Sequence, residues 1–121
     1  MPFAYCCILI AGLLPYVATT IAKSRKGFDN ANPRAWLAKQ EGFRARAHAA
    51  QLNSFEAFPF FAAGVITAQL RDAPHETINM LAGVFIVARV LYLALYLADL
   101  PSLRSLAWLA GLGCVVAMFF I

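Results

Sequence analysis

The sequence predicts an all-α integral-membrane fold, a four-transmembrane-helix up-down bundle, on three observations. The chain is 62% hydrophobic and only 13% charged, outside the usual range of soluble domains. Four segments, 2–22, 43–70, 77–98 and 103–121, each supply the roughly 20 mostly apolar residues that a hydrocarbon core of about 30 Å requires. Only short connections remain between them, and short connections favour antiparallel neighbours. The whole chain, 1–121, is therefore expected to be one membrane domain.

The first segment lacks a basic leader and is long enough to span, so it reads as a retained helix and not a cleaved signal peptide. Pro15 lies inside it and is expected to kink it. Asn30-Ala31-Asn32-Pro33 then breaks the chain. The second helix, counted from Glu41 to Leu70, would be about 45 Å long, too long for the hydrocarbon alone. Its polar first third should project into the interface. Ala45, Ala47, Ala49 and Ala50 permit close helix packing there, and Pro59 marks a second kink. Asp72-Ala73-Pro74 separates the second and third helices. Asp99-Leu100-Pro101-Ser102 opens the fourth, with Ser102 the expected N-cap.

Charge is distributed unevenly over these connections. The first carries Lys23, Arg25, Lys26, Arg34 and Lys39 against Asp29, with Arg44 and Arg46 just beyond. The second offers Arg71 beside Asp72 and Glu76. By the positive-inside rule the first and third connections are expected to be cytoplasmic, with the termini on the opposite side. The net charge of +4 then reflects topology. A nucleic-acid partner is not expected, because that would need a basic, aromatic-studded face on a soluble domain. Cys6, Cys7 and Cys114 lie in apolar segments without metal-ligand spacing, so neither a metal site nor a disulfide framework is indicated.

Polar residues inside the spans mark the candidate site. Glu56 stands in an otherwise apolar run, and a carboxylate at mid-bilayer costs roughly 2.5–3.5 kcal/mol on insertion scales. Arg46, Asn53 and Glu56 share one face of the second helix; Arg89, Tyr92, Tyr96 and Asp99 share one face of the third. Antiparallel packing brings Glu56 toward Arg89 and places Arg46, Asp99, Arg104 and Ser105 at the cytoplasmic border. Two readings of Asn53, Glu56 and Arg89 stand side by side. They form either an interhelical ion pair that fixes register or a ligand site. Arg104 near a helix N-terminus opposes the macrodipole, which suggests that it awaits an anion, a phospholipid head group being the alternative. Trp36 and Trp108 read as interface anchors, and His48 and His75 as solvated border residues.

The stretch Ala49-Ala50-Gln51-Leu52-Asn53-Ser54-Phe55-Glu56-Ala57-Phe58-Pro59-Phe60-Phe61 resembles the second-helix signature of the MAPEG family, the membrane-associated proteins in eicosanoid and glutathione metabolism. Arg89-x-x-Tyr92-x-x-x-Tyr96 followed by Arg104-Ser105 is similar to the family's third- and fourth-helix pattern. The resemblance covers essentially the whole chain. It implies a homotrimer with glutathione held between neighbouring subunits near the cytoplasmic side. Gln51, Asn53, Glu56, Tyr92 and Tyr96 would be glutathione contacts, with Arg89 a buried arginine beside them and Arg104 the residue that activates the sulfur. Arg46 and Ser105, from the polar stripes, complete the candidate set.

The chain departs from several eicosanoid-forming members at Ala49, where they carry an arginine, and at Leu52, where some carry another basic residue. Lys23, Arg25 or Arg46 are the candidate replacements. The expected function is glutathione-dependent transfer to a hydrophobic electrophile, or reduction of a lipid hydroperoxide. The expected partners are glutathione, a hydrophobic small molecule or lipid, membrane lipids and further copies of the chain. Alternatives are a non-catalytic lipid- or partner-binding member and a small proton-coupled exporter using Glu56.

Overall fold

A computed structural model describes residues 2–121, which form five α-helices and no strand among the described residues: α1 (Phe3–Ala22), α2 (Pro33–Ala38), α3 (Phe43–Leu70), α4 (His75–Leu97) and α5 (Pro101–Met118). Three of them, α1, α4 and α5, are long and apolar enough to cross a membrane. Together with the composition they support an integral membrane protein. The expectation of a fourth such segment is met in length only. The 28 residues of α3 include Arg44, Arg46, His48, Gln51, Asn53 and Glu56, and these dilute its apolar character.

Other departures have local causes. The Asn32-Pro33 break opens a short helix instead of ending order, because Pro33 occupies the first helical turn, where a missing N–H costs nothing. Leu37 then anchors α2 by packing with Ala22 of α1 and Ala47 of α3. Proline chemistry also displaces the expected cap of α5. The helix begins at Pro101 with Leu100 as N-cap and no side-chain cap bond, so Ser102 lies inside it. Helix α4 likewise starts at His75, directly after Pro74. Both α1 and α3 run unbroken through Pro15 and Pro59.

Helix directions follow from who meets whom. The Ala4 N–H donates to Asn79 Oδ1 at 3.1 Å, and Ala18 packs with Tyr92 and Leu93, so α1 and α4 run the same way. Gly12 meets Phe58 and Ala22 meets Ala47, so α3 runs against α1. Gly111 faces Phe85 and Ala88 while Arg104 reaches Tyr96, so α5 runs against α4. The closest-knit pairs are α1 with α3 and α4 with α5, and α3 joins them by touching α4 and α5 as well.

Small residues line much of the inside, around a core in which Phe61 stacks on Phe85 at 3.9 Å and Ile78 and Met118 are buried. Ala4, Cys7, Ala11, Pro15, Ala18 and Ala22 form one buried stripe down α1 at spacings of three and four. Other large apolar side chains point out: Leu9, Leu13, Met80, Val87 and Leu106 are all more than half exposed. Water would not tolerate so large an apolar exterior, whereas lipid does, and close small-residue contacts are how helices associate there. Cys7 and Cys114 are free, buried packing residues, as expected.

The turns that end α3 and α4 are built alike. Asp72 and Asp99 adopt left-handed backbone at φ 57° and 59°. The following N–H groups close back on the helix, Ala73 to the Ala68 carbonyl and Leu100 to the Leu95 carbonyl. This is the Schellman pattern, which satisfies carbonyls that a helix end otherwise orphans.

The small-residue packing is testable at Gly64, where an added Cβ would sit 3.3 Å from both Met118 Sδ and Val115 Cγ1. Gly64→Val should destabilise the α3–α5 contact by about 1–3 kcal/mol, the usual cost of overpacking. Gly113→Ala, with nothing within 4 Å, should match or exceed the parent. Thermal unfolding of both in detergent checks the pair.

Candidate functional site

The site grows from one buried cation. Arg89 lies on the inner face of α4 and is only 3% exposed, a burial that is costly unless the charge is satisfied. Its Nη2 donates to Ser54 Oγ at 3.3 Å, and Ser54 is itself buried on α3. The guanidinium carbon sits 4.2 Å from the centre of the Tyr92 ring. That ring meets Tyr96 edge-on, with centroids 5.6 Å apart and planes at 76°. Arg104, arriving from α5, places its guanidinium carbon 4.2 Å from the Tyr96 ring centre.

The result is a continuous stack, Ser54–Arg89–Tyr92–Tyr96–Arg104. Residues 89, 92 and 96 share one face of α4 because they are three and four apart. Each cation–ring contact contributes about 0.5–2 kcal/mol, more where water is excluded. Arg104 thus has a partner that helix polarity alone would not reveal. The aromatic face offsets part of the macrodipole cost that its place in the first turns of α5 imposes.

Beside Arg89 lies a cavity of about 250 Å³ between α3, α4 and α5. Its polar wall is Asn53, Glu56 and Arg89; its apolar wall includes Phe60, Phe85, Trp108, Leu112 and Val115. Asn53 Oδ1 is buried and lacks a hydrogen-bond partner. Glu56 is exposed.

The Glu56–Arg89 ion pair, one of the two readings of these residues, is not made within the chain. Both residues line the cavity, but among the described residues no carboxylate lies within 4.0 Å of the guanidinium. Helix geometry explains this. Residues 54 and 56 are about 200° apart around α3, so the two do not meet Arg89 together, and Ser54 is the one in contact.

The other candidates divide. Arg46 leaves the cavity, its Nε and Nη2 donating to the Leu97 carbonyl at 3.3 and 3.1 Å. A cation on the last carbonyls of α4 is favourable there. Gln51 Oε1 pairs with His48 Nδ1 at 3.4 Å, and Ser105 is exposed at the start of α5. Two contributors escaped sequence reasoning. Ser54 sits in the signature stretch, where only its burial reveals its role. Trp108, read as an interface anchor, lines the cavity, and its spacing of four from Arg104 was the available signal.

A family model described as the MAPEG family matches residues 3–121. The chain belongs to the MAPEG family. No curated protein and no solved structure gives a significant match. In this MAPEG protein the two motifs that carried the resemblance, on α3 and α4, converge on the Arg89 stack and the cavity beside it.

Ser54→Ala removes the hydrogen-bond acceptor of a buried guanidinium and should cost about 1.5–3 kcal/mol. Arg46→Ala removes a helix-end cation and should cost less, about 0.3–1 kcal/mol. Melting temperatures of the two variants, measured in the same detergent, should fall in that order.

Proposed function

We propose that this MAPEG protein is a glutathione-dependent membrane transferase or peroxidase acting on hydrophobic electrophiles or lipid hydroperoxides. In this reading α3 is a fourth span and the functional unit is a homotrimer. The observation that carries the proposal is a buried acceptor without a donor, Asn53 Oδ1, on the wall of a cavity that also presents Glu56 and Arg89.

That donor set fits glutathione. The tripeptide brings an ammonium and peptide N–H groups for Asn53 and Glu56, and carboxylates for a guanidinium. Arg104, at the outer end of the stack, holds the thiol as a thiolate. A free thiol has a pKa near 8.5, and a neighbouring guanidinium shifts it toward the reactive anion. The positive end of the α5 dipole acts in the same direction. The apolar wall formed by Phe60, Trp108 and Leu112 receives the acceptor from the bilayer. The chain needs no cysteine nucleophile because glutathione, when bound, supplies the sulfur that attacks.

Trimer assembly supplies what a single chain leaves open. Glu56 is exposed within an apolar stretch, and a carboxylate facing hydrocarbon at mid-bilayer would cost roughly 2.5–3.5 kcal/mol. A neighbouring subunit against α3 removes that exposure and closes the cavity from outside. In this reading the first and third connections lie in the cytoplasm with the basic residues, as the positive-inside rule directs.

Mass measurement in mild detergent should return three chains per particle; a monomer or dimer would contradict the assembly. Adding glutathione to the parent protein near neutral pH should produce thiolate absorbance that Arg104→Leu abolishes. Transfer to a model aromatic electrophile should fall by about 10²-fold or more in that variant, the scale of losing one charge-stabilising donor. A parent protein with neither thiolate signal nor turnover would point to the non-catalytic, lipid- or partner-binding reading.

A further inference from the structure

Residues 23–44 hold six of the ten Lys and Arg residues and two of the six Asp and Glu residues, so this one connection carries a net charge equal to the whole chain's +4. The rest of the molecule is neutral in sum. The segment is also folded onto the bundle. Leu37 is buried against Ala22 and Ala47, and the Trp36 ring meets Phe28 edge-on at 4.9 Å. Lys23 places its ammonium 5.0 Å from the centre of the Phe28 ring, and Arg44 lies over Phe43.

The remaining cations, Arg25, Lys26, Arg34 and Lys39, are exposed. Among the described residues none has a carboxylate within 4.0 Å. One of the two acids in the segment is already engaged in its own turn. Asp29 accepts from the Ala31 N–H at 3.0 Å and from Asn32 Nδ2 at 3.5 Å, holding its own turn.

These cations lie between α3 and α1, a helix long and apolar enough to cross a membrane. We infer that the first connection is a docking surface for anionic phospholipid head groups of the surrounding membrane. Four unpaired cations supply the attraction, and Trp36 and Phe28 supply the aromatic footing that suits the interface. Charge complementarity selects the occupant. A zwitterionic head group offers these side chains no net counter-charge, whereas an anionic one does. The inference is independent of the glutathione reading, since Arg25, Lys26, Arg34 and Lys39 do not line the cavity.

The test uses the full chain in neutral detergent doped with phosphatidylglycerol or phosphatidylcholine, read by retained lipid in native mass spectrometry and by melting temperature. The parent should retain phosphatidylglycerol about tenfold or more over phosphatidylcholine at low salt, with the preference falling as salt rises. The combined variant Arg25→Gln, Lys26→Gln, Arg34→Gln, Lys39→Gln should retain both lipids alike while melting like the parent in undoped detergent. If that variant fails to fold, the pair Arg25→Gln, Lys26→Gln should lose part of the preference. A parent without preference, a preference that survives in the folded variants, or a thermal shift reproduced by soluble glycerol phosphate would each overturn the inference.

Discussion

Burial of the Arg89 charge is the constraint on which the arrangement of the helices turns. A guanidinium that is 3% exposed must be satisfied by its surroundings, and among the described residues no carboxylate does so. Its needs are met by a hydroxyl from α3 and an aromatic face from its own helix. The first ties the register of α3 to α4, since sliding α3 by one residue would swing Ser54 away. The second fixes the Tyr92 ring, which in turn orients Tyr96 and, through it, Arg104 on α5. One buried charge thereby couples three helices. Removing it would leave Ser54 and Tyr92 without their organising partner, while removing a partner would strand the charge, the costlier of the two.

The apolar packing permits this because it is thin. With alanine and cysteine along the inner face of α1, backbones approach closely there and dispersion is gained over short distances. Arg89 is accommodated beside the cavity that α3, α4 and α5 enclose. A few large side chains, Phe61, Ile78, Phe85 and Met118, fill the core between the small residues, and many others are spent on the exterior. Membrane insertion and site formation draw on the same allocation of residue size.

Much of this was legible in the sequence. Length, apolar fraction and charge asymmetry lead to long helices, and all four expected helical segments are present with ends displaced by a few residues at most. The displacements occur where proline decides, at Pro33, Pro74 and Pro101, because its fixed φ and absent N–H favour a helix start over the side-chain cap expected from Ser102. Helical period placed Arg89, Tyr92 and Tyr96 on one face correctly. It failed for the Glu56–Arg89 pair, since period alone cannot say which of Asn53, Ser54 or Glu56 points at α4. That depends on the rotation of α3 about its axis, which the small-residue contact with α1 sets. Arg46 lies near Asp99, as expected, with its guanidinium on the Leu97 carbonyl. Sharing a face with Asn53 does not prevent a long side chain from reaching back to a helix end.

The two arginines at the basic end show how helix direction separates structural from available charge. Arg46 rests on the last carbonyls of α4, the negative end of that dipole, where a cation is stabilised by about 0.3–1 kcal/mol and its charge is largely answered. Arg104 sits in the first turns of α5, the positive end, where the same interaction has the opposite sign. Tyr96 supplies a compensating face, but a ring quadrupole attracts without neutralising. The positive potential of the guanidinium and that of the helix terminus therefore add, and an anion near Arg104 would feel both. Of these two arginines at this end, the one whose charge remains unanswered is the one that the aromatic stack connects to the cavity.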